Sequence, residues 1–246
     1  MMLLGKRVLI TGGGSGVGAD MARSFAGAGA QVVVTGRRAA PLEKLARANP
    51  SIRAVVADVT QEASVEAMFE QAGPCDIVIA NAGAADSGLL AKTTLDQWND
   101  MLAVNLTGVF LTLRQGVRQM PGWGRLISVA SIAGLRGFAY AAPYAAAKHG
   151  VIGLTRSLAL EMAKKPVTVN AICPGYLDTE MTDRSIANIA AKTGKTLAEA
   201  QAILTATNPQ GRLIRPDEVT ATALWLCSPG ADSVNGQAIT LSGGEV

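Results

Sequence analysis

The stretch Arg7-Val8-Leu9-Ile10-Thr11-Gly12-Gly13-Gly14-Ser15-Gly16-Val17-Gly18 decides how the rest of the chain is read. A short aliphatic run, Arg7 to Ile10, stops at a glycine-rich turn, and a helical pattern follows from Ala19 to Ala28. Residues without Cβ let the backbone turn tightly and bring its N–H groups against an anion at the positive end of the next helix. Glycine also serves turns that bind nothing. What gives this turn weight is its place between a strand and a helix, with a second strand within about thirty residues, the arrangement that seats a dinucleotide pyrophosphate. On that reading Gly12, Ser15, Gly16, Val17 and Gly18 face the pyrophosphate.

Outward from the turn, short aliphatic runs alternate with longer helical patterns, the signature of repeated strand-helix-strand units on a parallel sheet. Seven strands are expected, at Arg7 to Ile10, Gln31 to Thr35, Arg53 to Ala57, Asp76 to Ala80, Gly124 to Val129, Thr168 to Ile172 and Ala238 to Leu241, with helices between all of them. Such a doubly wound α/β sheet binds ligand outside the carboxyl ends of its strands, so function is sought in the loops that follow strands. The alternation breaks once. Between Leu177 and Gln210 no strand is expected, and two amphipathic segments, around Ile186 to Ala191 and Leu197 to Ala206, read as a substrate lid spanning residues 177–210.

A chain of 246 residues fits one α/β domain. Apolar residues at 49% with aromatics at only 4% call for a core of Ala, Val, Leu and Ile. Twenty-two Lys and Arg stand against nineteen Asp and Glu, and no run of like charge exceeds two residues (Arg37-Arg38, Lys164-Lys165), so no nucleic-acid partner is expected. Cys75, Cys173 and Cys227 are odd in number and form no CxxC pair; they read as reduced core thiols of a cytoplasmic protein. The start, Met1 to Arg7, carries no basic leader followed by an apolar stretch, and no apolar run reaches membrane length, so neither secretion nor membrane insertion is expected. His149 is the only histidine, which argues against a zinc-dependent dehydrogenase and leaves a Ser-His-Asp hydrolase one candidate base; no metal is expected.

The strand ends supply further candidates. The second strand runs into Gly36-Arg37-Arg38, with no carboxylate to pair a ribose 2′-hydroxyl, while an Arg there can pair a 2′-phosphate. NADP is therefore preferred through Arg37, with NAD as the alternative and a solvated helix lead-in as the plain reading. Asp58-Val59 follows the third strand, where the carboxylate can either accept from an adenine amino group or cap the turn. Asn81-Ala82-Gly83 follows the fourth, where small residues leave room for the nicotinamide ribose.

Tyr144-Ala145-Ala146-Ala147-Lys148 puts a phenol and an ammonium on one helix face. A phenol is a poor base at neutral pH, and a neighbouring cation favours its phenolate, so Lys148 is expected to bring Tyr144 toward the working range. Ser131, just past the fifth strand, can hold a substrate oxygen, and Asn105, in an apolar stretch of a helix expected from Leu95 to Met120, needs buried partners near Lys148. A surface Tyr-Lys pair, a capping Ser and a satisfied core Asn are the plain alternatives. His149 lies on a different face of the helix from Lys148 and reads as structural.

As a set, TGGGSGVG at Thr11 to Gly18, NAG at Asn81 to Gly83, Asn105, Ser131, YAAAK at Tyr144 to Lys148 and PG at Pro174-Gly175 resemble the short-chain dehydrogenase/reductase family, in order and over nearly the whole chain. The resemblance implies a single Rossmann-fold domain over residues 1–246. It further implies Tyr144 as the acid/base, Lys148 as ribose ligand and depressor of the tyrosine pKa, Ser131 orienting substrate and Asn105 holding a relay water. Leu177 and Thr179, after Pro174-Gly175, match positions that contact the nicotinamide carboxamide. A homotetramer, paired through the Asn105 and Tyr144 helices and the last strand, is implied as well. Two departures stand out: Ala80 replaces a frequent first asparagine of the NAG motif, and Ser15 occupies a position that some NADP-preferring members fill with Arg or Lys.

The expected reaction passes hydride between NADP(H) and a small carbonyl or secondary alcohol, with Ser131 and Tyr144 stabilising the developing alkoxide. Ala133, Leu135, Phe138, Tyr176, Met181 and Ile186 are the candidate pocket walls, a mostly apolar set with no evident acidic element. The similarity looks closest to 3-oxoacyl thioester reductases and to 3-hydroxyacyl or 3-hydroxybutyrate dehydrogenases. Arg136, Arg184, Lys192 and Lys195 are candidates for meeting a phosphorylated carrier, or are ordinary surface charge. An NAD-dependent secondary alcohol or 3-hydroxyacid dehydrogenase is the alternative within the class. A non-catalytic dinucleotide-binding redox sensor is the alternative outside it, and 246 residues leave no room for the larger substrate domain of an epimerase.

Overall fold

Strands sealed between two helical layers have no polar face to show, and the aliphatic runs have that character: Val8, Leu9 and Ile10 are fully buried, as are Ile77, Val78 and Ile79. In the computed structural model, which describes residues 2–246, these runs become β1 (Arg7–Thr11), β2 (Gln31–Gly36), β3 (Ile52–Val56), β4 (Ile77–Ala80), β5 (Gly124–Val129), β6 (Val167–Pro174) and β7 (Ala238–Leu241). They form one parallel sheet in the order β3-β2-β1-β4-β5-β6-β7. All seven lie where the sequence places them, within two residues at either end. Met1 lies outside the described residues.

Alternate residues of each strand feed opposite cores. Leu9, Val33, Val55, Val78, Leu126 and Val169 pack under α3 (Glu62–Ala72), α5 (Gly108–Gln119) and α6 (Ala142–Met162), with Met68, Phe69, Leu113 and Val151 filling that layer. Ile10, Val32, Val34, Ile79, Ile127 and Ile172 pack under α1 (Gly16–Gly27), α2 (Ala39–Ala48) and α9 (Pro216–Leu226), with Met21, Phe25, Leu42 and Val219. The order reverses direction between β1 and β4, and the loops after both strands open on that crevice.

The helix expected from Leu95 to Met120 is continuous but carries a defect that its sequence does not announce. It runs as α4 (Leu95–Leu102), a single π turn at Ala103–Thr107, and α5, with the Gly108 N–H reaching back to the Ala103 carbonyl. Asn105 sits on that turn. The interruption between Leu177 and Gln210 is helical, as α7 (Glu180–Thr193) and α8 (Leu197–Thr205), the latter started by a reciprocal cap between Thr196 and Glu199.

Away from the crevice, the buried guanidinium of Arg125 donates to the Leu226 carbonyl at 3.0 Å, pairs with Asp232 and stacks on Trp123 at 4.2 Å. The three thiols are buried and unpaired, and burial pushes Cys75 and Cys173 up to about 11 and Cys227 up to about 12. Among the described residues no helix is long and apolar enough to cross a membrane.

Candidate active site

The glycine-rich turn is shaped by what it must pass. Gly12 has φ +65°, and a Cβ there would lie 2.8 Å from the Ala82 Cα; a Cβ at Gly18 would lie 2.6 Å from Asn81 Nδ2. Asn81 holds the turn in place: its Nδ2 donates to the carbonyls of Thr11 at 2.9 Å and Gly12 at 3.2 Å. Thr11 Oγ1 in turn accepts from the Asn81 and Ala82 N–H groups, both at 3.0 Å. The loop after β1 and the loop after β4 are thus one hydrogen-bonded unit. Ser15 starts α1 in extended backbone with its hydroxyl uncommitted to a cap, Val17 is buried under the helix, and the first turn of α1 holds no acidic residue. Its positive end therefore faces the crevice without an internal counter-charge.

The other strand ends divide. Arg37 and Arg38 are exposed, and among the described residues neither forms an ion pair. Asp58 Oδ1 accepts from the Thr60 N–H at 3.0 Å and the Thr60 hydroxyl at 2.8 Å, so one of its oxygens caps the turn. Val59 is buried against Gly108 of α5. After β6, Gly175 donates to Leu241 of β7, Leu177 pairs with Ile214, and Thr179 begins α7 within van der Waals reach of Gly16. That contact joins the loop after β6 to the glycine-rich turn.

Asn105, fully buried, aims its amide across the π turn at the chain leaving β4. Nδ2 donates to the Ala84 carbonyl at 2.8 Å and the Met101 carbonyl at 3.1 Å, and Oδ1 accepts from the Ala84 N–H at 3.3 Å. A Cβ on Gly83 would lie 2.9 Å from Asn105 Oδ1 and 3.9 Å from Lys148 Nζ, which places amide and ammonium around one small residue. Ser131 follows β5 in extended backbone and accepts from the Ala133 N–H at 3.1 Å. Proline near its start and a run of small residues let α6 begin against this loop, bringing Tyr144 and Lys148 to the same place.

Lys148 is only 4% exposed, and its ammonium donates to the Val129 carbonyl at 3.0 Å. Burial lowers its pKa to about 8. Tyr144 departs from expectation. Its pKa is pushed up to about 12 by burial, opposed chiefly by the Ser131 hydroxyl beside it. The ammonium lies 5.5 Å from the ring centroid and is directed at a backbone carbonyl rather than at the phenol, so desolvation outweighs the cation. His149 is exposed, with Nδ1 against the Ala145 carbonyl at 2.9 Å, on the structural side of the helix as its position implies.

The candidate pocket walls separate into two groups. Phe138, Tyr176 and Met181 are half-buried around the cleft, and Tyr176 packs on Ile186, Ala200 and Leu204 of α7 and α8. Ala133 is buried and Leu135 backs onto the main core. Glu245 folds its carboxylate beside Gly175, where it pairs with Arg136, whose guanidinium covers the Phe138 ring at 4.6 Å. Of the four basic candidates for a carrier, Arg136 is thus partnered by an acid and Lys192 donates to the Ser87 carbonyl at 3.0 Å.

Comparison with known proteins adds to this geometry. A family model described as Enoyl-(Acyl carrier protein) reductase matches residues 12–245. The chain is 37% identical over 257 residues to a D-beta-hydroxybutyrate dehydrogenase of Cupriavidus necator, covering 100% of this chain and 99% of that protein. It is 36% identical over 252 residues to a 3-oxoacyl-(acyl-carrier-protein) reductase of Vibrio harveyi, covering 99% and 98%. Among solved structures, it superimposes with a TM-score of 0.92 and 34% identity on a tryptophan variant of actinorhodin polyketide ketoreductase with NADPH, covering 98% of this chain and 97% of that one.

Proposed function

Because the chain belongs to the short-chain dehydrogenase/reductase family of oxidoreductases, we propose that it reduces a small uncharged 3-oxoacyl ester or thioester with NADPH, Tyr144 giving the proton. The observation that carries this reading is the meeting of Asn105, Ser131, Tyr144 and Lys148 in one crevice with the glycine-rich turn.

The residues present fit a nicotinamide dinucleotide. Gly12 and Gly18 let the turn close against Ala82 and Asn81 where side chains would clash, Ser15 and the uncompensated start of α1 offer donors to a pyrophosphate, and Arg37 offers a charge to a 2′-phosphate. NADPH in the similar ketoreductase structure supports the same choice. Asp58 through its second oxygen, with Val59, would border the adenine. Asn81, Ala82 and Gly83 would border the ribose, and Pro174, Gly175, Leu177 and Thr179 the carboxamide. When bound, the nicotinamide supplies the hydride. Tyr144, protonated at neutral pH by virtue of its raised pKa, is then the acid that a carbonyl oxygen needs as it gains charge, and the Ser131 hydroxyl is a second donor to that oxygen. Lys148 keeps its charge below about pH 8, can swing from the Val129 carbonyl to a ribose hydroxyl, and draws its proton supply past Asn105. In the oxidative direction the same phenol must act as base, and its height near 12 makes that direction climb with pH.

The segment 177–210 would act as a substrate lid within a single domain spanning the chain. Its α7 is tied to the opposite rim by Lys192 on Ser87. Exposed Leu95 and Phe110 on the Asn105 helix and Leu160 on the Tyr144 helix support a homotetramer, and the buried unpaired thiols fit a reducing cytoplasm.

A spectrophotometric screen tests the proposal. NADPH should be used with kcat/KM at least about tenfold above NADH, falling toward parity in Arg37→Ala, since an exposed charge-assisted bond is worth about 1.5 kcal/mol. Preference for NADH with a 3-hydroxy acid would favour the dehydrogenase reading that the Cupriavidus relative suggests. Absence of turnover on every ketone and alcohol would favour a redox sensor.

A further inference from the structure

The segment between β6 and α9 joins the body through a narrow neck. Leu177 pairs with Ile214, the Ile214 N–H donates to the Tyr176 carbonyl at 2.9 Å, and the Asp178 N–H donates to the Ile214 carbonyl at 2.8 Å. Beyond the neck, Ile186, Ala200 and Leu204 of α7 and α8 pack with Tyr176, Ile189 and Ala190 as a small cluster of their own, apart from the two layers that enclose the sheet. A unit with its own contacts and a narrow neck can move as one body.

Its far end is held at one residue. Asn188 and Lys192, one turn apart on α7, both reach Ser87: Asn188 Nδ2 donates to the Ser87 hydroxyl at 3.3 Å, and the Lys192 ammonium donates to the Ser87 carbonyl at 3.0 Å. Ser87 belongs to an exposed strap, residues 84–88, that leads away from β4. The strap is fixed to the site at its start, where Ala84 exchanges hydrogen bonds of 2.8 and 3.3 Å with the fully buried Asn105. It is fixed at its end as well, since the Gly88 N–H donates at 2.8 Å to the carbonyl of Tyr140, on the segment that leads into Tyr144. Among the described residues Tyr140 is the only one besides glycine at positive φ, +64°, a conformation that bulky residues keep only where their surroundings impose it. The strap thus runs from Asn105 to the approach to Tyr144, and α7 closes on its middle.

Resting on the reading of residues 177–210 as a lid over a carbonyl-reducing site, we infer that Asn188 and Lys192 are positioning residues that latch the lid onto this strap. Both ties are single hydrogen bonds exposed to water, weak enough to open in each turnover, whereas the Asn105 amide beneath them is buried and holds the strap in place. Latched, α7, the strap and the Tyr144 segment form a continuous rim around the substrate. Released, the unit beyond the neck swings away and product leaves. Neither residue takes part in the proton or hydride transfer; the latch sets how firmly the cleft closes on substrate, and so acts on KM.

The test pairs kinetics with a readout that needs no turnover. Lys192→Met keeps the stem of the side chain and removes the donor, and Asn188→Ala removes the second tie. At saturating NADPH the double variant should raise KM for ethyl acetoacetate by about fivefold with kcat within about twofold, as the loss of closure that substrate and transition state share requires. Lys192→Arg, which keeps a charged donor, should hold KM within about twofold of wild type. Trypsin cleavage after Lys195, in the turn between α7 and α8, should be at least about threefold faster in the double variant than in Lys192→Arg, at an unchanged thermal midpoint. An unchanged KM, an unchanged cleavage rate, or a fall in kcat together with a lowered midpoint overturns the inference and leaves the carbonyl reductase standing. Failure of wild type to reduce the ester removes the proposed function, and equal cleavage rates would then remove the latch as well.

Discussion

Lys148 carries a cost that its position explains. Between pH 8 and 10.5 the unfolded chain holds a proton at this residue that the folded chain lacks, since burial lowers its pKa from 10.5 to about 8. Stability therefore rises with pH across that window, and below it the penalty for burying the ammonium acts in full. A methionine of similar shape has no such penalty. Lys148→Met should be more stable than wild type at pH 7 by roughly 1–3 kcal/mol, should lose the rise above pH 8, and should lose turnover. Denaturant melts at a series of pH values would check this, and a variant less stable at pH 7 would contradict it. At this scale the sequence showed the Tyr144–Lys148 spacing, because one helical turn is a local fact. It could not show which effect governs the phenol, because desolvation depends on the strands and loops packed around it.

At the scale of elements, the π turn is where the fold and the site meet. A widened turn re-aims Asn105 from the helix axis toward Ala84, and the amide then fixes the chain leaving β4 with two hydrogen bonds, of 2.8 and 3.3 Å. Asn105→Ala would take away the partner of the amide and carbonyl of the exposed Ala84 and leave a void where the fully buried amide stood. The expected loss is about 2–3 kcal/mol, read as a shifted denaturation midpoint, and a loss below about 1 kcal/mol would mean that water replaces the amide at little cost. The central strands were legible because a doubly buried strand is an aliphatic run, and the partly exposed β3 and β7 were legible through their β-branched residues. The π turn was not, since nothing in Ala103 to Thr107 departs from helical composition. Asp58 was legible as a turn residue, and the cap it forms with Thr60 leaves one oxygen for another role.

At the scale of the whole molecule, the site is an assembly of loop ends drawn from β1, β2, β4, β5 and β6, and its parts touch only because the sheet order reverses between β1 and β4. That reversal could be anticipated from the alternation of elements, and with it the crevice. The Arg136–Glu245 pair could not: 109 residues separate its members, and only the return of the chain past β7 brings them together. The central claim is that Tyr144 transfers a proton in a site that other residues build. Tyr144→Phe tests it with nucleotide binding and turnover measured on the same sample. NADPH should bind within about threefold of wild type while turnover of ethyl acetoacetate falls by at least about a hundredfold, the usual worth of a positioned acid. Turnover within about tenfold of wild type, with binding intact, would contradict the account.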